Sequence, residues 1–184
     1  SNGMNIEYST TAETIISGIC ATNSGYIIDC KNSGNITGEM LISENNIQTR
    51  AVEAKIIALS GIVSENYGVA IGSYNLGKLE GKSIENITIN GIAGVNIGGA
   101  IYSCYNIGNL AGEANIYEYI SGIVHENNGI VENCYNAGIL SGERNAGLVS
   151  YNVEDEKGEI INSYWQTGTS DTGGYTNQFE PITG

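Results

Sequence analysis

Three of the chain's four cysteines stand in nearly the same phrase: DCKNSG from Asp29 to Gly34, SCYNIG from Ser103 to Gly108, and NCYNAG from Asn133 to Gly138. A thiol in a repeated frame suits a nucleophile, a metal ligand, half of a disulfide or a packing ladder, and each needs different company. A nucleophile needs a base beside it, yet the only histidine, His125, sits far from Cys134 within its own phrase. Structural zinc needs four convergent ligands, commonly supplied as CxxC pairs, and the sequence has no such pair. Neighbouring parallel strands hold Cβ atoms near ~4.8 Å, whereas a disulfide prefers ~3.8 Å. The expectation is four free thiols that act as small core residues.

The elements that position these residues come from a phrase of about twenty-five residues written five times, starting at Gly18, Gly61, Gly91, Gly122 and Gly147. The start-to-start steps are 43, 30, 31 and 25 residues. Short alternating apolar runs are separated by Asn and Gly at fixed places. The sixth position is Asn23, Asn66, Asn96, Asn127 and Asn152, and the fifteenth is Asn32, Asn75, Asn106 and Asn136. Because Asn and Gly tolerate positive φ, both are read as corners. Three short strands per phrase, with linkers such as Ser83 to Ile89 and Asn115 to Ile120 closing each turn, predict an all-β fold. The architecture expected is a right-handed parallel β-solenoid (β-helix) of about five coils, a rod of roughly 20–25 Å at the ~4.8 Å strand spacing. Residues 1–16 are expected to form an N-terminal cap that includes a tag remnant, 17–168 the solenoid, and 169–184 an irregular tail. Met40 to Leu59 is expected to add a hairpin or extra strand, with a short helix over Arg50 to Leu59 as the other reading.

Stacking turns positions into columns. Cys30, Ser73, Cys104, Cys134 and Ser163 form a small inward column, and the next residues, Lys31, Tyr74, Tyr105, Tyr135 and Tyr164, point the other way. Tyr74, Tyr105, Tyr135 and Tyr164, continued by Trp165, are therefore the candidate binding residues. An exposed aromatic strip can stack on sugar rings or bury against a partner, and it can equally serve only to stabilise the sheet. Glu39, Lys82, Glu113 and Glu143 share another column, which puts Glu113 and Glu143 on neighbouring rungs as the best carboxylate pair for acid–base work or Ca²⁺ chelation. Glu154, Asp155 and Glu156 read as a solvated loop with at most weak Ca²⁺ affinity. No catalytic residue, structural metal or cofactor is assigned.

Composition narrows the partners. Twenty Asp and Glu against seven Lys and Arg give a net charge of −13, which opposes nucleic acid and anionic membranes. No apolar run approaches the ~20 residues of a membrane span, so no membrane insertion is expected. Ser1-Asn2-Gly3 reads as a cloning remnant and the chain as a piece of a longer polypeptide. The phrase G-I-V-x-x-N-x-G-x-I-x-N-C-Y-N-x-G-x-[IL]-x-G, seen best from Gly61 and Gly122, resembles the GLUG motif repeat of large bacterial surface proteins, including repeat regions of immunoglobulin A peptidases. The resemblance covers about Gly18 to Gly168 and is weakest in the fifth copy, where Ser163-Tyr164-Trp165 replaces the CYN element. It implies a non-enzymatic spacer or adhesion segment that is extracellular or at the surface of a Gram-positive cell, facing a host or cell-wall glycan or protein. The HExxH motif of those peptidases is absent from the sequence. The alternative is a carbohydrate-active β-helix fragment, lyase-like or hydrolase-like, working through acidic residues.

Overall fold

A computed structural model describes residues 1–41, 55–153, 158–170, 172 and 174–176. Within these the chain is all β, with no helix, and every pairing between its strands is parallel. Four sheets run side by side along the molecule. The tyrosine sheet stacks Lys31–Asn32, Tyr74–Asn75, Tyr105–Asn106, Tyr135–Asn136 and Tyr164–Trp165. A second sheet stacks Ile6–Thr10, Ile36–Met40, Leu79–Ser83, Leu110–Ala114 and Leu140–Ser141. A closing sheet, built from the linkers, stacks Thr14–Ser17, Ile56–Ser60, Asn86–Asn90, Tyr117–Ser121 and Asn145–Ala146. The long sheet holds Cys20–Asn23, Val63–Asn66, Ala93–Tyr102, Val124–Glu132 and Val149–Asn152. Each of the first four phrases thus feeds one strand or more to each sheet in turn, and the fifth feeds the long and tyrosine sheets, an arrangement consistent with a β-solenoid.

The terminal segments take part. Ile6–Thr10 and Thr14–Ser17 are the outermost strands of their sheets, and Gly174–Thr176 pairs with Val149–Asn152. The hairpin or helix expected over Met40 to Leu59 falls on residues 42–54, outside the described residues, except that Ile56 to Leu59 are strand. Glu154, Asp155 and Glu156 also lie outside them.

The registers follow the columns of the sequence. Ile27 pairs with Ala70, Ala70 with Ile101, Ile101 with Val131 and Val131 with Ile160. Together with Ile62, Ile92, Ile123 and Leu148 these side chains fill one core cluster. A second core fills between the second and closing sheets, from Ile36, Leu79 and Leu110 on one side and Ile57, Leu59, Ile87, Ile89 and Ile120 on the other. Each fully buried Ile, Leu or Val among them stabilises the fold by about 1.5–3 kcal/mol.

The asparagines differ from expectation. Neither Asn column adopts positive φ; besides Gly98 and Gly168, the left-handed residues among those described are Asp29, Gly72, Ser103, Asn133 and Asn162, which form a column of their own one residue before the Cys/Ser column. The Asn side chains point inward instead and bond to one another along the stack. Asn23, Asn66, Asn96, Asn127 and Asn152 make one ladder, each Nδ2 donating to the next Oδ1 at 2.8 Å. Asn2, Asn32, Asn75, Asn106 and Asn136 make the second, at 2.8–3.0 Å. The other amide hydrogen of Asn32, Asn75, Asn106 and Asn136 caps the carbonyl of the glycine two residues on. A carboxamide, with two donors and an acceptor, is the side chain that can satisfy itself this way in a buried column.

Candidate functional site

The tyrosine strip forms as the columns require. Tyr74 pairs in register with Tyr105, Tyr105 with Tyr135, and Tyr135 with Tyr164, while Lys31 occupies the rung before Tyr74. Tyr74 and Tyr105 stack almost parallel, with centroids 4.6 Å apart and planes 6° apart. Burial and the adjacent Tyr74 phenol raise the Tyr105 hydroxyl above its ordinary pKa. Exposure grows along the strip, reaching 41% at Tyr135 and 58% at Tyr164. The faces that Tyr74 and Tyr105 turn toward each other are occupied, so a ligand would find more free ring surface at the Tyr135 and Tyr164 end.

Trp165 does not continue the strip. It is one residue past Tyr164, so it points to the opposite face and pairs with Asn136, partly buried against the core. It stands where a sixth member of the second Asn ladder would be and covers that end of the ladder with an apolar ring.

The cysteines do structural work. All four are free, with Cys104 and Cys134 buried and Cys20 and Cys30 half-buried. The residue two positions before each member of the Cys/Ser column turns its carbonyl back across the left-handed corner. Cys104 donates to Tyr102 at 3.3 Å and Cys134 to Glu132 at 3.4 Å. Ser73 and Ser163 do the same at 3.1 and 2.9 Å. Thiol and hydroxyl are interchangeable here because both are small and both donate. Burial raises the Cys104 thiol pKa and pushes that of Cys134 up to about 12, the reverse of what a nucleophile needs. In a native Ellman's titration Cys20 and Cys30 are expected to react first, with Cys104 and Cys134 released only by denaturant; four equal native rates would refute this placement.

The carboxylate column is only partly assembled. Lys82 pairs with Glu39 and Glu113, and its ammonium lies 3.1 Å from Glu113 on the exposed surface. The last strand of that sheet is only Leu140–Ser141, so Glu143 is not on the rung beside Glu113. Glu143 sits in the following turn, where its N–H donates to Glu118 Oε1 at 2.7 Å. Among the described residues no group of three or more His, Cys, Asp or Glu is placed to hold a metal ion.

That turn opens a feature the columns did not reveal. The chain from Gly138 to Gly147 is five residues shorter than from Gly108 to Gly122, and the missing length is most of a closing strand. Only Asn145–Ala146 follows Tyr117–Ser121, pairing with Ile120 and Ser121. Tyr117, Glu118 and Tyr119 are left without a following rung, and a cleft of about 740 Å³ opens between the closing and long sheets. Tyr119, His125, Glu126, Glu143, Arg144, Asn145 and Tyr151 line it. Glu118 stands in the inward column after Ile57 and Ile87 and is 6% exposed; burial raises its pKa, opposed by the Glu143 N–H. His125 is half-buried, its Nδ1 sealed from solvent with no hydrogen-bond partner, and burial lowers its pKa to about 4. Its ring lies 5.1 Å from that of Tyr119. The Arg144 guanidinium lies 5.2 and 5.3 Å from the Tyr117 and Tyr119 rings and donates to the Tyr119 hydroxyl at 2.8 Å. The repeat step of 25 residues, against 30 and 31 before it, is the sequence signal that points here.

No protein-family model matches the chain, and neither the curated proteins nor the solved structures compared with it include a match.

Proposed function

We propose that the chain is a non-catalytic module, a right-handed β-solenoid of about five coils that acts as a spacer or ligand-presenting segment of a secreted or cell-surface bacterial protein. Its ligand face is the tyrosine sheet, which meets a glycan or a protein. The observation that carries this reading is the in-register column Tyr74, Tyr105, Tyr135 and Tyr164, with its two most exposed rings together at one end. Aromatic rings held by the backbone at fixed spacing lose little entropy when a flat apolar surface is laid on them. The parallel registers and the repeated sheet order support the solenoid, and the general preference for right-handed crossovers supports its hand. The GLUG-like phrase supports the surface location.

The test is direct. On an array of bacterial and host glycans and in pull-downs on cell-wall fragments, binding is expected to fall about tenfold in the double variant Tyr135→Ala/Tyr164→Ala, whose side chains are mostly outside the core. Unchanged affinity for every bound glycan or protein would sink the ligand-presenting role. Release of reducing sugar that disappears in Glu113→Gln or Glu143→Gln would overturn the non-catalytic reading.

A further inference from the structure

The cleft behind the shortened closing strand has the make-up of a ligand site, separate from the tyrosine face. Its volume of about 740 Å³ falls in the range of roughly 300–1,000 Å³ typical of small-molecule sites, which combine apolar or aromatic walls with a few converging polar groups. The walls here are the rings of Tyr119, Tyr151 and His125. Because burial holds the imidazole neutral at ordinary pH, that wall is an uncharged aromatic surface. The Arg144 guanidinium is held against the Tyr119 ring, and Glu126, Glu143 and Asn145 add polar groups to the lining.

The arrangement of these polar groups narrows the ligand. Arg144 is held in place by two aromatic rings and by one hydrogen bond, to the Tyr119 hydroxyl. A guanidinium carries five N–H donors, so most of its donors remain for a ligand. The carboxylates supply acceptors, and the amide supplies both kinds. An anionic ligand would meet Glu126, Glu143 and the buried Glu118 behind them, in a chain of net charge −13. A cationic ligand would meet Arg144 at close range. A neutral pyranose satisfies both constraints, since its C–H faces lie on aromatic rings and its vicinal hydroxyls donate and accept at once.

We propose that the cleft lined by Tyr119, His125, Arg144 and Tyr151 is a binding site for a short neutral saccharide, with Arg144 as its principal polar contact. The site exists because the fourth linker is too short to lay a full strand over Tyr117, Glu118 and Tyr119. It does not depend on the tyrosine sheet.

Saturation-transfer NMR on the intact 184-residue chain tests it. The probes are the methyl glycosides of glucose, galactose, mannose and N-acetylglucosamine with their disaccharides, and methyl glucuronoside and methyl glucosaminide as charged comparators. At least one neutral glycoside is expected to show transfer, with affinity about tenfold weaker in Arg144→Met, the loss that corresponds to one charge-assisted hydrogen bond. Arg144 is exposed, so this variant keeps the fold. Tyr119→Phe, which removes only the hydroxyl that steadies Arg144, is expected to weaken the same signal, and Lys78→Met, an exposed side chain outside both the cleft and the tyrosine column, is expected to leave it unchanged. Three results would each overturn the proposal: no transfer from any neutral glycoside, stronger transfer from a charged one, or a signal that survives Arg144→Met and vanishes in Tyr135→Ala. The last would move saccharide binding to the tyrosine sheet and leave the proposal for that sheet intact.

Discussion

Asn106→Ala is expected to lower the melting temperature by roughly 10 °C, far more than the same change at the first rung, Asn2→Ala. Asn106 is fully buried and holds three contacts at once. It donates to Asn136 Oδ1 at 2.8 Å and to the Gly108 carbonyl at 2.9 Å, and it accepts from Asn75 Nδ2 at 2.8 Å. Alanine replaces none of these, so an Asn75 N–H and the Gly108 carbonyl lose their partners inside the stack, while Asn136 Oδ1 keeps only the Gly138 N–H. At about 1–3 kcal/mol for each stranded group, the change removes about 3–5 kcal/mol, which for a chain of this size is on the order of 10 °C. Asn2 has one rung neighbour and faces solvent on its other side, so its loss is expected to cost about 1 kcal/mol. Asn106→Asp is expected to be worse than Asn106→Ala at neutral pH, because a carboxylate cannot donate and would face the oxygens of Asn136 and Gly108. Thermal and urea melts of the three variants decide the matter. Equal midpoints for Asn2→Ala and Asn106→Ala would remove the ladder from any account of stability.

The sequence read well where a column recurs and poorly where one rung departs from it. The pairing of Lys31 with Tyr74, and of Ile27 with Ala70, was legible because a repeat that stacks in register turns spacing directly into neighbours. The asparagines were misassigned because Asn has two ways to recur. It tolerates a left-handed corner, and it also satisfies itself in a buried ladder; one copy of the phrase looks the same under either. What separates the two is the residue before the cysteine: Asp29, Gly72, Ser103, Asn133 and Asn162 have no common side chain, yet all take positive φ. Four of the five are Asp, Asn or Gly, the types that take the left-handed region most readily, and Ser103 follows because the chain path repeats. Continuing the aromatic run puts Trp165 outside, whereas simple alternation after Tyr164 puts it inside, where the structure has it. The Glu113 and Glu143 pair failed because column logic assumes equal linkers, and the fourth linker is short. That same shortening leaves Glu118 buried and opens the cleft, so this break in the repeat gathers a chemically varied set of side chains.

The glycines extend the ladder argument from side chains to backbone and give the largest expected effect. At Gly129 the φ is not left-handed, so conformation alone does not demand glycine. A Cβ built there would lie 2.2 Å from the Gly99 carbonyl oxygen and 2.7 Å from Asn96 Nδ2, where ordinary contact begins at 3.4 Å. Both neighbours belong to the preceding rung, and neither is a flexible side-chain end: one is backbone, the other a member of the first Asn ladder. Relief therefore requires the two rungs to separate by about 1 Å, which breaks hydrogen bonds tuned to a ~4.8 Å spacing. Gly25 is the same position in the first phrase. Nothing lies within 4 Å of its built Cβ, because no rung of that sheet precedes it among the described residues. Gly129→Ala is expected to cost at least about 3 kcal/mol and to yield little folded protein, as overpacking against an immovable wall does. Gly25→Ala is expected to be neutral or to stabilise by up to about 1 kcal/mol, since alanine restricts the unfolded chain. Circular dichroism melts of the two variants decide between this account and one based on turn conformation. If glycine were required at this position for its backbone freedom, the two substitutions would shift the midpoint together. If it is required for the approach of the preceding rung, only Gly129→Ala will.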